Sequence, residues 1–349
     1  MIDRIDPTEP AAAAPWKAEP ASVMVDEGLK LVAGGRFERA AEQFGRAAAR
    51  AHQDGDHAVG ADALRRLAEL RFRAGYPGEA RSLAERSREC AFRTNRARLQ
   101  VETSNTIGCI QLEMGDLEHA SETFLGALAI EGIPDDLAGR IEQNLGIVAS
   151  IQGRWDEAEG HYSKALSCLA RHRDTAGLAM VHHNLAMIAS DRGKADVAHH
   201  HFGEGLAAAE RAGDGRLAGL CRLNRAELLH AEGALDRALD DATGAYAVFL
   251  QTGTLVDMAG ACRILGRINA SLNRYQAAES FLKAAVTMAD RSQTPLTDGE
   301  ARRELGDLLA ATSRLAEAKA SYEAAGSVFA RLSASHDLAD VARRLAELE

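Results

Sequence analysis

The chain is organised around the stretch Gly153-Arg154-Trp155-Asp156-Glu157-Ala158. The shared pattern is a glycine, a bulky side chain one or two residues later in most copies, and an alanine five residues after the glycine. Its copies begin at Gly35, Gly75, Gly115, Gly153, Gly193, Gly233, Asn273 and Ser313. The steps between these positions are 40, 40, 38, 40, 40, 40 and 40 residues. So regular a spacing predicts an array of eight helix-turn-helix units.

Helical periodicity surrounds each copy, and no strand pattern is found in the sequence. In the first unit, Val25, Leu29 and Val32 are spaced at i, i+4 and i+7, which places them on one face of a helix. Glycine supplies the left-handed backbone that ends a helix at low cost; asparagine is next best, and serine a weaker substitute. We therefore expect the same turn at Asn273 and a looser turn at Ser313.

Three segments follow from this pattern. Residues 1–20 carry four prolines and several alanines, and we expect a disordered tail there. Residues 21–335 hold the eight repeats. Residues 336–349 form an amphipathic helix that would cover the last repeat, with one apolar stripe made of Leu338, Val341, Leu345 and Leu348. Pro134 lies at the 38-residue step, where we expect a local change in pitch or a boundary between two halves.

The bulk composition excludes several classes of partner. The chain has 349 residues and a formal net charge of −10. An acidic protein is poorly suited to nucleic acid or to an anionic membrane surface. No apolar run approaches the ~18 residues of a membrane span, and no secretory signal is recognisable. Five cysteines without a Cys-x-x-Cys spacing predict free thiols in a reducing compartment, so we expect a cytoplasmic protein.

A second pattern lies within each repeat. A small residue occurs seven positions before each turn: Gly28, Ala68, Gly108, Gly146, Ala186, Ala226, Gly266 and Gly306. An alanine follows five positions after the turn, with an aromatic residue four positions later in five of the eight copies. Glu27 and Arg225 depart from the leucine-like residue that usually precedes the small one, and Ala84 and Ala242 replace the aromatic residue.

These positions make the chain resemble the tetratricopeptide repeat, in a longer version of about forty residues. It is similar to the arrays of peptide-binding bacterial regulators and of kinesin light chains. The resemblance implies an all-α fold, a right-handed α-solenoid of eight repeats with a C-terminal capping helix. It also implies that the first helix of each repeat lines a concave inner groove.

Three asparagines occupy equivalent points on successive first helices, nine residues before their turns: Asn144, Asn184 and Asn224. An amide offers both donors and an acceptor to an extended peptide backbone. In peptide-binding members of the family that it resembles, asparagine at this point does so. The alternative is that these side chains bond to adjacent helices. The neighbouring inward positions that would join a peptide site are Arg140, Gln143, His183, Met187 and Glu227.

Basic residues offer a second candidate site. Arg263 and Arg267 lie one turn apart on the first helix of repeat seven. Family members of the resembling type clamp a terminal carboxylate with basic residues on first helices, so an anchor for an acidic peptide is one interpretation. The other is that both arginines are solvated or paired with carboxylates of the chain itself.

The sequence contains no pattern that predicts an enzyme, a metal site or a cofactor. There is no glycine-rich phosphate loop after a strand, and no nucleophile has an orienting His/Asp arrangement. Repeat five holds five histidines, His182, His183, His199, His200 and His201. Consecutive histidines on a helix point in different directions, which disfavours a shared metal ion, and surface histidines are the expectation.

The sequence thus predicts a non-enzymatic, bacterial-type interaction module or scaffold that binds a peptide segment of a partner protein in its groove. Two alternatives remain open. One is a peptide-responsive sensor or regulatory subunit acting on a separate effector, and the other is a structural accessory subunit of a larger assembly. We expect a protein or peptide partner, no nucleic acid, no membrane, and a monomer or weak homodimer.

Overall fold

The computed structural model describes residues 19–348, so most of the predicted tail, including Trp16, lies outside the described residues. Over that range the chain forms seventeen α-helices and no strand. The helices of the first three repeats are α1 (Ala21–Ala33), α2 (Phe37–Asp54), α3 (His57–Arg73), α4 (Pro77–Phe92), α5 (Ala97–Glu113) and α6 (Leu117–Leu128). The all-α prediction is confirmed.

The fourth to sixth repeats contain α7 (Asp135–Ile151), α8 (Trp155–His172), α9 (Thr175–Asp191), α10 (Ala195–Ala212), α11 (Gly215–Ala231) and α12 (Leu235–Thr252). The remaining helices are α13 (Leu255–Ser271), α14 (Tyr275–Ser292), α15 (Pro295–Ala311), α16 (Leu315–Arg331) and α17 (Ser335–Ala346). Contacts divide the chain into two compact units, Met1–Val148 and Ala149–Glu349, which are described separately below.

All eight turn positions have the left-handed backbone that the sequence predicts. The glycines at these positions have φ between 68° and 84°, and Asn273 and Ser313 have φ of 57° and 63°. Two backbone hydrogen bonds close the end of the helix at Gly153. Gly153 N donates to Ser150 O at 3.0 Å, and Arg154 N donates to Ala149 O at 2.9 Å. Ser313 makes the equivalent 2.9 Å bond to Ala310 O, so its turn is closed like the others rather than looser.

Small and large residues interlock between the two helices of a repeat. A Cβ atom added at Gly108 would lie 2.4 Å from Cε1 of Phe124, and one at Gly28 would lie 2.5 Å from Cε1 of Phe44. In the second unit, Gly306 faces Tyr322 in the same way, with a distance of 2.5 Å. Only glycine allows so close an approach, and this contact explains the glycine at these three copies of the periodic small position.

Aspartates cap several of the first helices. The carboxylate of Asp56 accepts hydrogen bonds from Ala58 N and Val59 N at the start of α3. Asp174 and Asp214 cap α9 and α11 in the same manner, each with a bond of 2.9 Å. These bonds satisfy backbone donors that a helix leaves unpaired at its start.

The step of 38 residues between the Gly115 and Gly153 turns coincides with a shortened second helix. The helix α6 has 12 residues, whereas the second helices of the other repeats have 16 to 18. Gly132, with φ of 74°, then turns the chain toward Pro134 and the start of α7.

The last helix, α17, covers the end of the final pair. Val341 is buried in the same apolar cluster as Tyr322, and Leu345 and Leu348 pack against that cluster. Leu338 departs from the predicted stripe, since 39% of it stays exposed. No helix in the described part of the chain has both the length and the apolar composition to cross a bilayer.

Candidate functional site

In the first unit, Asn144 on α7 bonds to the neighbouring first helix. Its Nδ2 donates to Asn105 Oδ1 on α5 at 2.9 Å and lies 3.5 Å from Cys109 Sγ. On the same helix Arg140 is exposed and Gln143 is half-buried. Asn144 therefore bonds to an adjacent helix, which was the alternative to peptide contact, and contact with a peptide stays a prediction.

In the second unit, Asn184 and Asn224 are linked through His183. Asn224 Nδ2 on α11 donates to His183 Nε2 on α9 at 2.8 Å, and His183 Nδ1 lies 3.3 Å from Asn184 Oδ1. This pattern assigns the proton of the neutral imidazole to Nδ1. Burial lowers the pKa of His183, which keeps the ring neutral. The two predicted asparagines therefore form one hydrogen-bonded network, and exposed Met187 lies one turn further along α9.

His182, His199 and His201 of repeat five are half-buried and also make contacts, whereas His200 is exposed, as expected. His182 Nδ1 and His201 Nδ1 are 3.0 Å apart, and His199 Nε2 lies 2.9 Å from a carboxylate oxygen of Glu232. Burial lowers the pKa of both His182 and His201. No cluster of three or more metal-ligating side chains occurs among residues 19–348.

Arg263 and Arg267 on α13 are paired with carboxylates of this chain. Arg263 Nη1 donates to Glu304 Oε1 at 2.7 Å, and Arg267 Nη1 donates to Glu227 Oε1 at 2.7 Å. Arg263 Nε is also 3.4 Å from Glu300 Oε2. Both arginines are therefore paired within the chain, as in the second interpretation of the sequence. An acidic peptide would have to displace these carboxylates.

These ion pairs lie in a cavity of about 810 Å³ within the second unit, lined by α11, α13, α14, α15 and α17. Its wall carries four carboxylates: Glu227, Glu300, Glu304 and Asp307. It carries four guanidinium groups: Arg263, Arg267, Arg303 and Arg344. The rest of the wall consists of the apolar residues Ala270, Leu282, Leu308 and Ala311 together with Tyr275, His230 and Ser271. We call this the α13–α15 cavity.

Glu304 is a carboxylate of the α13–α15 cavity with a strongly raised pKa. Burial raises the pKa of Glu304 to about 7, although Arg263 and Arg267 act in the opposite direction. Its side chain is only 12% exposed. Its Oε2 atom is buried and has no hydrogen-bond partner among the described residues.

The sequence interpretation included Glu227, Arg263 and Arg267 but missed Glu304. The signal was present, because Glu304 lies nine residues before the Ser313 turn, the position that Asn144, Asn184 and Asn224 occupy in their repeats. Extending the forty-residue period two repeats further would have found it. Its raised pKa depends on packing and has no sequence signature.

Comparison with known proteins agrees with this architecture. Three family models, each described as a tetratricopeptide repeat, match residues 25–92, 137–211 and 259–291. No curated protein matched the chain in sequence.

Solved structures share the fold at low identity. BtubC (BKLC) from P. vanneervenii matches with a TM-score of 0.55 and 22% identity, over 62% of this chain and 92% of that one. A Rap protein complexed with Competence and Sporulation Factor matches with a TM-score of 0.60 and 14% identity, over 94% and 97%.

Yeast Tom70 has a TM-score of 0.57 and 16% identity, over 95% of this chain and 65% of that one. At such identities the likeness concerns the fold alone. The consecutive helix pairs, the periodic turns and the matched family models together show that this chain belongs to the tetratricopeptide-repeat proteins.

Proposed function

We propose that this chain is a non-enzymatic protein-interaction module that binds a peptide segment of a partner protein along its first helices. The observation that carries the proposal is the α13–α15 cavity, which combines paired charges with apolar wall residues. Such a mixture suits a peptide, whose backbone and side chains need both hydrogen-bonding groups and apolar contact. Asn184 and Asn224, both half-buried on first helices, offer amide groups outside this cavity.

Three of the five cysteines support a role without thiol catalysis at their positions. Burial raises the pKa of Cys109 and Cys262 to about 11 and that of Cys221 to about 12. These thiols are protonated at neutral pH, whereas a nucleophilic cysteine needs the thiolate.

A second candidate is a peptide-responsive regulatory subunit that acts on a separate effector. The observation that favours it is the match to the Rap protein over 94% of this chain, because that structure is a complex with Competence and Sporulation Factor. Small-angle scattering with and without a bound peptide separates the two, since a regulator must change conformation on binding. A structural accessory subunit would instead give crosslinks from second helices to its partner.

The test of the first proposal is a peptide-array screen with the purified chain. We expect a subset of peptides to bind and the triple variant Asn144→Ala/Asn184→Ala/Asn224→Ala to lose them. Each lost hydrogen bond also costs about 0.5–1.5 kcal/mol of stability, so binding is measured well below the melting temperature. Asn95→Ala, in an exposed loop, is the matched control. Unchanged binding by the triple variant would exclude the asparagines as peptide contacts.

A further inference from the structure

We propose that the α13–α15 cavity receives a basic side chain, Arg or Lys, of the partner segment. This inference rests on the proposed function, because it specifies the chemistry of the peptide that the module binds. The proposed ligand is positively charged. From sequence alone, Arg263 and Arg267 suggest the opposite, an anchor for an acidic peptide.

The first argument is the local charge. Three carboxylates, Glu227, Glu300 and Glu304, face two guanidinium groups, Arg263 and Arg267, at distances between 2.7 and 3.9 Å. One carboxylate is therefore in excess when all are ionised. An added cation would balance this group, whereas an added anion would increase the excess.

The second argument is the unsatisfied oxygen. Glu304 Oε2 is buried without a hydrogen-bond partner among the described residues. A buried carboxylate oxygen without a donor costs about 1–3 kcal/mol, and more when it is charged. An ammonium or guanidinium group supplies donors and a positive charge together, so it relieves both costs.

The third argument is that the remaining arginines of the cavity are held by other carboxylates. Arg303 Nη1 donates to Asp337 Oδ1 at 2.7 Å, and Arg344 Nε donates to Asp307 Oδ1 at 2.7 Å. Both arginines also pair with Asp340 on α17. An acidic ligand would have to break these bonds, whereas a basic ligand leaves them intact.

The apolar part of the wall fits the stem of a long basic side chain. Ala270, Leu308 and Ala311 line the cavity together with Tyr275. The hydroxyl of Tyr275 donates to Asn273 Oδ1 at 2.8 Å, which orients the ring. Lys and Arg bury methylene stems on such surfaces while their heads reach polar groups, and an aromatic face adds attraction for the cation.

Binding of a cation at Glu304 is linked to a proton. A cation favours the ionised carboxylate, so affinity rises with pH as Glu304 loses its proton around pH 7. The cavity around Glu304 also holds titratable groups from every helix that lines it. They are Arg263 and Arg267 from α13, Glu300, Arg303 and Asp307 from α15, Glu227 and His230 from α11, Tyr275 from α14 and Arg344 from α17. Burial and Arg267 lower the pKa of His230. Because His230 loses its positive charge as pH rises, it too favours binding of a cation at higher pH.

The experiment measures fluorescence anisotropy of three labelled peptides with the full chain: alternating Lys-Gly, alternating Glu-Gly and alternating Ser-Gly. We expect preferential binding of the Lys-Gly peptide, with affinity that rises across neutral pH. Glu304→Gln keeps the shape of the side chain and should weaken this binding by about tenfold or more, since charge-assisted hydrogen bonds are worth about 1.5–3 kcal/mol. Glu300→Gln is a second variant that should weaken it in the same direction.

The control is Glu323→Gln, which removes the same charge from the exposed face of α16 outside the cavity. It should leave binding unchanged. Preference for the Glu-Gly peptide, or equal loss in Glu323→Gln and Glu304→Gln, would overturn this inference and leave peptide binding intact. Absence of binding to all three peptides and across the peptide array would overturn the proposed function itself.

Discussion

The substitution Gly108→Ala tests the interlocking of helices within a repeat. The added Cβ would lie 2.4, 2.7 and 2.8 Å from three ring carbons of Phe124, against about 3.5–4.0 Å for an unstrained carbon–carbon contact. Phe124 has 0% exposure, so the ring cannot move into solvent. The ring or the backbone of α5 must therefore shift by about 1 Å.

Two opposing contributions set the magnitude. Overpacking of a buried contact costs about 1–3 kcal/mol. Replacing a helical glycine by alanine gains about 1 kcal/mol of helix propensity. The free energy of unfolding should therefore fall by up to about 2 kcal/mol. Gly126→Ala on α6 is the matched control, because no atom lies within 4 Å of its added Cβ, and it should be stabilising.

Urea denaturation followed by circular dichroism measures both variants under the same conditions. The difference between them isolates the contact with Phe124 from helix propensity, and we expect it to be about 1–3 kcal/mol. If Gly108→Ala stabilises the chain as much as Gly126→Ala, the close approach of α5 and α6 is refuted.

Two further predictions concern the second unit. Asp241→Ala removes the carboxylate that accepts two hydrogen bonds from Arg225, at 2.6 and 2.7 Å, and leaves a half-buried guanidinium unpaired. We expect the free energy of unfolding, measured by urea denaturation, to fall by about 1–3 kcal/mol. An unchanged midpoint would contradict the role of this pair. The pKa values of His182, His183 and His201 are lowered by burial, so these three sites bind more protons in the unfolded chain. Their contribution should lower the melting temperature as pH drops below the ordinary histidine value of 6.5. Substituting all three by glutamine should flatten this dependence, and an equally steep profile would exclude them as its source.

Parts of the candidate site follow from the repeat period. Position nine before the turn holds Asn184, Asn224 and Glu304, and the period alone places them on first helices of the second unit. The pairing of these residues does not follow from the period. Asn224 bonds to His183, 41 positions earlier, and Glu304 bonds to Arg263, 41 positions earlier. The sequence left this choice open between ligand contact and contact with an adjacent helix.

The sequence by itself determined the helices, the turns and the small-to-large contacts of this protein. Each of these features depends on residues within one repeat, where spacing and local backbone preference suffice, as at Gly153 and at Gly108 with Phe124. Only the tertiary structure decided the state of Glu304. Its raised pKa results from desolvation, which outweighs the opposing effect of Arg263 and Arg267 from another repeat, and its Oε2 atom is buried without a partner among the described residues. Desolvation depends on how densely neighbouring helices pack.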